Sequence, residues 1–457
     1  MFVLSGSICA LVPVLCAFNA IMERTLNKDL PGVIGKTVRI AGWVDVRRDH
    51  GKLMFLDVRD RSGIVQCTVT PHAEEAMKTA TELRPQSTVV ISGEVKERPA
   101  TMRGKGPLGG VELSVQSIEI LTLAQELPFD MSAELNLDTH LDYLPLTLRT
   151  QRSRDIFTVQ ATILKSYRES LRSQGFMEFM APAIAGADAE GGAAAFKVNY
   201  YYDQTAFLAT SPQFYKEIMV GPFERVFTIA KVFRGEKHAT TRHLSEITQM
   251  DFEMGFIEDH FDVLGVLEQT VLDTARAVTE THSDIFERFG IEAPLIPSKI
   301  PVLTLREAQK VLGVPEAPDM EPEHERNICE WAKSEKKSDF VFITAFPTKA
   351  RAFYTYEDPS EAPYSRGFDL LFRGLEINSG SQRLHDYQEV VDRIRSRGLD
   401  PDKFSYYLQA FKYGLPPHGG SSTGLERFTA RMLGLANVKE ATAFPRDLNR
   451  IDVRLSQ

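Results

Sequence analysis

From Lys36 to about Leu123, apolar and polar residues alternate at the two-residue period of a half-buried strand. Val38, Ile40 and Val44 sit among polar neighbours, and MFLDVRD and IVQCTVT follow, divided by the turn signals DHGK and DRSG. VVISGEV and GVELSVQSIEIL complete the set, about five short strands in all. This pattern predicts a small closed barrel of the oligonucleotide-binding type, with any other five-stranded β domain as the alternative. The next stretch, LPFDMSAELNLDTHLDYLPLTLRT, reads as a linker. Beyond it Ile156, Val159, Ile163 and Tyr167 recur at helical spacing, and Gly175 is a natural stop. RVFTIAKVF, FVFITAF and FDLLFRGLEI read as strands without regular βαβ alternation, so the larger part is expected to be α+β on a largely antiparallel sheet. The predicted division is an extension over 1–21, a barrel domain over 22–125, a hinge over 126–150 and an α+β domain over 151–457.

Composition changes this picture little. The 457 residues are 43% hydrophobic and 25% charged, and we find no low-complexity tract and no internal repeat. A net charge of −9 argues against a purely electrostatic nucleic-acid binder but leaves room for local basic patches. Cys9, Cys16, Cys67 and Cys329 form no CxxC and have no His at ligand spacing, which disfavours structural zinc or a disulfide framework and fits a reducing compartment. Residues 1–21 are apolar but lack the basic start of a signal peptide, and Met22 opens a stretch that reads as an ordinary soluble start. A start placed too early is the favoured reading of this segment; a targeting segment and an ordered piece of the fold are the others. The cytoplasm is the expected location, with no membrane attachment.

Positive charge gathers in one place. KVFRGEKHATTRHLSEITQMDFEMGF, residues 231–256, carries Lys231, Arg234, Lys237, His238, Arg242 and His243, and the acids Glu246, Asp251 and Glu253 follow. It reads as a strand, a long polar loop and a returning strand, with Arg234 and Glu236 on one face by two-residue alternation. Taken alone, such an Arg–Glu neighbour pair is most often an ordinary ion pair. Two further segments change its weight. GLEINSGSQRLHD, residues 374–386, offers Glu376 and Ser379, oxygen ligands suited to Mg²⁺ carrying substrate phosphates, with Arg383 four positions on. GLPPHGGSSTGLERFTARMLG, residues 414–434, is a Gly/Pro-rich loop running into a helix that carries Arg427. By itself a glycine-rich turn before a helix is weak evidence for phosphate binding.

Together the three segments resemble motifs 2 and 3 and the substrate-binding strand of class II aminoacyl-tRNA synthetases. RSRDIFTVQATILKSYRESLRSQGFMEFMAPAI resembles motif 1, which in that family forms the dimer interface. FRGEKHATTRHLSE, EGGAAAF, SPQFYK, EINSGSQR and GLPPHGG with GLER resemble the aspartyl enzymes of the short archaeal/eukaryotic type, over essentially residues 24–451. The resemblance implies an oligonucleotide-binding barrel that reads anticodons. It implies a catalytic domain that forms aspartyl-adenylate from ATP and L-aspartate and then charges tRNA, with Mg²⁺ and as a homodimer. On the same basis ATP would meet Arg234, Gly235, Glu236, Arg242, His243, Leu244, Glu376, Gly424, Leu425, Glu426 and Arg427, with Glu376 and Ser379 holding the metal. The loop Lys237–Arg242 would face the tRNA acceptor end. Aspartate would meet Glu190, Gln213, Phe214, Tyr215, Lys216, Arg234, Ser379 and Arg383.

Lys216 and Arg383 decide the amino acid in this resemblance. Aspartate and asparagine are nearly isosteric, and only charge separates them; the family's asparaginyl enzymes lack a lysine at the Lys216 position. For tRNA, Arg48, Phe55 and Gln66 match the contacts to the central anticodon base: a cation, a stacking ring and an amide. Standing alone, Phe55 as core and Arg48 as a solvated charge are the lesser alternatives. Pro107, before LGGVE, goes in archaeal-type enzymes with acceptance of both tRNA(Asp) and tRNA(Asn). Asp45, after GWV, matches neither the relaxed nor the strict marker. Relaxed charging of both tRNAs is the expectation, with a strict aspartyl enzyme, an asparaginyl enzyme and an inactive tRNA-binding paralogue as successive alternatives.

Overall fold

A computed structural model describes residues 23–104, 108–186, 195–237 and 240–455. Pro107, Glu190, His238 and the extension 1–21 lie outside the described residues. The chain divides into two compact units, with the division along the sequence falling between Ala133 and Glu134.

The first unit is the expected barrel. Its strands are β1 (Thr37–Asp49), β2 (Met54–Asp60), β3 (Gly63–Val69), β4 (Thr88–Glu97) and β5 (Val111–Thr122). They close in the order β1-β2-β3-β5-β4. Alternation points Val38, Ile40, Val44, Leu56, Val58, Val65, Cys67, Ile91 and Leu113 inward, all buried. Each such side chain contributes about 1.5–3 kcal/mol of burial free energy. A bulge at Asp45 bends β1 as it leaves β4 to pair with β2, the usual device for turning a barrel corner.

The second unit begins ahead of the helix read from sequence. The stretch expected as a hinge contains short helices, Leu137–Asp142 and Leu144–Thr147. The helix Gln151–Ser173 follows, capped by the Thr150 side chain on the Ser153 amide. Ile156, Val159, Ile163, Tyr167 and Leu171 form its buried face. Its strands are β6 (Met177–Glu178), β7 (Ile184–Ala185), β8 (Lys197–Asn199), β9 (Thr205–Leu208), β10 (Arg225–Phe233), β11 (Glu246–Gly255), β12 (Val302–Thr304), β13 (Phe340–Thr344), β14 (Gly367–Phe372), β15 (Leu375–Gln382) and β16 (His418–Gly424). Eight of them form one sheet in the order β12-β13-β14-β15-β16-β11-β10-β6. Only the two outermost pairs, β12 with β13 and β10 with β6, run parallel. FDLLFRGLEI, read as one strand, is two: Arg373 and Gly374 both take positive φ and turn β14 into β15.

Two-residue alternation on β11 separates structure from chemistry. Met250, Phe252 and Met254 pack with the helices Gln151–Ser173 and His260–Thr281 in the main core. Gln249, Asp251 and Glu253 therefore point to the opposite face of the sheet.

Candidate active site

That opposite face is the floor of a cleft of about 610 Å³. The helix Gln213–Phe223 lies beside it. On this helix Gln213, Lys216 and Glu217 are three and four positions apart and share one side, and all three are buried. Phe214 and Tyr215 fall elsewhere. The Phe214 ring packs on Tyr407 at 4.3 Å, and neither residue lines the cleft.

Lys216 and Arg383 do converge, but on carboxylates of the chain itself. Lys216 Nζ donates to Asp251 at 2.9 Å and stands 3.4 Å from Glu253. Arg383 donates to both oxygens of Glu253, at 2.9 and 3.2 Å, and to Ser381 Oγ at 2.7 Å. Burial opposes ionisation of Glu253, yet the two cations hold its carboxyl below the usual range. Both cations were expected to await a substrate. Instead they are shared within an ion cluster whose Lys216, Asp251 and Glu253 are almost fully buried.

Gly420 makes that cluster sterically feasible. It lies opposite Glu253 across the β11–β16 ladder. A Cβ there would collide with the Phe252 carbonyl and the Glu253 carboxylate.

A second group of residues gathers in the same cleft: Arg234, Glu236, Arg242, His243, Leu244, Glu376, Ser379, Gly424, Glu426 and Arg427. Arg234 and Glu236 share it, though not by strand alternation, since β10 ends at Phe233. Glu376 and Ser379 are an odd number of positions apart and would lie on opposite faces of a regular strand. A register shift between Leu370 and Leu371 leaves Ile377 without a partner and brings both into the cleft. Arg427 donates to the Glu376 carbonyl at 3.0 Å and reaches its carboxylate at 3.4 Å. Glu426 accepts from the Thr248 amide at 3.0 Å, and burial raises its carboxyl above the usual range. Gly235 is not among the lining residues, and the Leu425 side chain is packed in the core.

Sequence reading missed Arg351. It holds Asp369 through two bonds of 3.0 and 2.7 Å and touches Ser379 Oγ at 3.3 Å. It lies in a loop ahead of β14, with no local pattern to mark it. Glu325 was missed too; it is ion-paired with Arg242 across more than eighty positions of chain.

In the barrel, Arg48 is the register partner of Phe55. Phe55 and Gln66 are half-buried on the outer face, which removes the alternative that Phe55 is core. Arg48 holds Asp57 through two bonds, and Gln66 donates to Glu112 at 3.1 Å. Asp45 is held internally: both of its oxygens accept from Arg59, and Gln86 donates to it as well. It is thus an internal counter-ion rather than a group left free for a base.

Comparisons with known proteins give the family of each unit. Residues 136–448 match the family described as tRNA synthetases class II (D, K and N). Residues 38–121 match the OB-fold nucleic acid binding domain. An aspartate–tRNA(Asp/Asn) ligase of Thermus thermophilus is 42% identical, covering 94% of this chain and 99% of that protein. One of the same name from Deinococcus radiodurans is 41% identical over the same shares. Among solved structures, the asparaginyl-tRNA synthetase of Pyrococcus horikoshii complexed with asparaginyl-adenylate superimposes with a TM-score of 0.85 at 31% identity, covering 92% of this chain and 97% of that one. The chain belongs to the class II tRNA synthetases of the D, K and N group, with an OB-fold nucleic acid binding domain preceding the catalytic one.

Proposed function

We propose that the protein is an aspartate–tRNA ligase that activates L-aspartate with ATP and transfers it to tRNA(Asp) and also to tRNA(Asn). The observation that carries this reading is the convergence of Lys216 and Arg383 on one buried spot beside Ser379. A substrate carboxylate can take over part of their hydrogen bonding, whereas a neutral amide leaves a buried cation incompletely matched, a mismatch worth about 3–5 kcal/mol when complete. Names of the Thermus and Deinococcus relatives support the relaxed tRNA range. The asparaginyl enzyme of similar fold supports an amide substrate only through shape.

In this reading Lys216 and Arg383 orient the side-chain carboxylate, and Gln213, with Glu190, takes the α-amino group. The α-carboxylate of aspartate then attacks the α-phosphorus of ATP in line, and pyrophosphate leaves. Charge builds on the phosphoryl oxygens, so fixed cations and positioning carry the acceleration. Arg234 meets the α-phosphate, and Arg427 exchanges its bond with Glu376 for the nucleotide. Arg242, His243, Leu244, Glu236 and Gly424 hold the rest of ATP. A terminal ribose hydroxyl of tRNA afterwards attacks the activated carbonyl and releases AMP, with no side-chain nucleophile required.

Glu376 and Ser379 suit a magnesium ion. Desolvation in the cleft raises the Glu376 carboxyl, and Asp369 and Glu325 push it further, a strain that a cation relieves. The described residues hold no cluster of three or more His, Cys, Asp or Glu arranged for a metal, so the remaining ligands would be phosphate oxygens and water. When bound, the ion neutralises phosphate charge.

Residues 22–125 are proposed to read the anticodon, 126–150 to connect, and 151–457 to catalyse as a homodimer through the motif 1 helix, in the cytoplasm. No helix among the described residues is long and apolar enough to cross a membrane.

The test is aspartylation of unmodified tRNA(Asp) and tRNA(Asn) transcripts side by side. Comparable kcat/KM for both is the expected result. A preference beyond about a hundredfold, ~2.7 kcal/mol, would make the enzyme strict. Charging of neither, with no aspartate-dependent ATP–pyrophosphate exchange, would sink the ligase reading.

A further inference from the structure

The substrate-binding side of the helix Gln213–Phe223 rests on a second buried ion cluster to which sequence reading assigned no role. Glu217 and His418 are both fully buried. Glu217 Oε1 accepts from Gln213 Nε2 at 2.5 Å, and its Oε2 accepts from the Tyr407 hydroxyl at 2.7 Å. His418 Nε2 lies 3.1 Å from the same Oε2.

Proton positions follow from the partners. His418 Nδ1 is 2.9 Å from the Pro416 carbonyl, which can only accept, so Nδ1 carries a hydrogen. Nε2 faces a carboxylate oxygen, and two lone pairs make no bond, so a second proton lies between them. Both Glu217 oxygens already accept, one from Gln213 and the other from Tyr407, the pattern of a carboxylate. That places the second proton on the ring. His418 is then an imidazolium.

The charges around it set the consequence. Glu253 and His385 act on His418 from β11 and from the segment after β15. Arg383 feels Glu217, and its own amide donates to the His418 carbonyl at 2.9 Å. Tyr407 is kept protonated by burial and by Glu217. Within this cluster Lys216, Arg383 and His418 oppose Asp251, Glu253 and Glu217. Without the His418 charge, the spot where a substrate carboxylate must dock carries one excess negative charge.

We propose that His418, protonated on both ring nitrogens, is a specificity-determining residue for the acidic amino acid: it cancels the charge of Glu217 and holds that carboxylate on Gln213. This rests on the aspartate reading above.

Charge complementation tests it, read by ATP–pyrophosphate exchange. His418→Gln keeps a donor toward Glu217 but removes the charge, and should raise KM for aspartate about tenfold with kcat changed less than about threefold. The double variant Glu217→Gln, His418→Gln removes both charges and should recover most of that loss. Inhibition by asparagine, which lacks the side-chain charge, should not weaken in His418→Gln. Equal losses in single and double variants, or equal weakening for asparagine, would mean that His418 only packs, and would overturn the proposal. Independently of any variant, ¹⁵N spectra of histidine-labelled protein should show one imidazolium protected from solvent; a neutral ring with bare Nε2 overturns it as well. Absence of aspartate-dependent exchange in the unmodified protein would overturn the aspartate reading itself. Exchange with unrescued losses overturns this inference alone.

Discussion

Glu376 shows how one side chain reports its surroundings. Its carboxyl is held above the ordinary value of 4.5, first by desolvation in the cleft and then by Asp369 and Glu325, against the pull of Arg427 and Arg351. Between the ordinary and the raised value the folded protein binds more protons than the unfolded chain. Stability therefore falls as pH rises through that window, and the ionised group costs stability above it. Replacing Glu376 by Gln should raise the thermal midpoint at neutral pH when no metal is present and leave it unchanged in acid, where the carboxyl is already protonated. Magnesium with ATP should stabilise the unmodified protein more than Glu376→Gln. A midpoint difference that is flat with pH would argue against the raised carboxyl. Lys216 is the complementary case: a lysine on a helix would ordinarily be solvated, yet here it is 1% exposed because Asp251 and Glu253 come from β11 to meet it.

At the scale of an element, the pairing of β11 with β16 decides whether the cluster can exist. Glu253 and Gly420 face each other across the ladder, and the carboxylate occupies the space of a missing Cβ. Gly420→Ala should lose about 1–3 kcal/mol of stability by overpacking. It should also displace Glu253 from Arg383, so that KM for aspartate rises while the affinity for ATP changes less. Urea denaturation and exchange kinetics would separate the two effects. β15 makes a similar point in a different way, since the unpartnered Ile377 is what turns Glu376 and Ser379 toward one cleft.

For the whole molecule, two units divide recognition and chemistry, and each can be perturbed alone. Phe55 stands on the outer barrel face beside Arg48, with Gln66 on the adjacent strand β3. Phe55→Ala should remove a stacking partner worth about 1–3 kcal/mol per base. KM for tRNA is expected to rise about tenfold or more in aminoacylation, and the loss should not appear in ATP–pyrophosphate exchange. An equal loss in both assays would show that the ring supports folding rather than tRNA.

The sequence by itself determined the elements and the inventory of chemistry. Strand alternation marked the barrel, helical spacing marked Gln151–Ser173, and the clustered motifs carried Arg234, Glu376, Arg383 and Arg427, because period and motif are local properties of the chain. One local reading failed at a turn. The break at Arg373–Gly374 was not marked by a proline or an Asn-Gly pair. Phe214 and Tyr215 lie within a matched motif, yet neither lines the cleft. Only the tertiary structure decided the charge pairing. Arg351 meets Asp369 across 18 positions of chain, Lys216 meets Asp251 across 35, Arg383 meets Glu253 across 130 and Glu217 meets His418 across 201. A buried charge is tolerable only where folding brings its counter-charge within bonding distance, and no local spacing encodes that meeting.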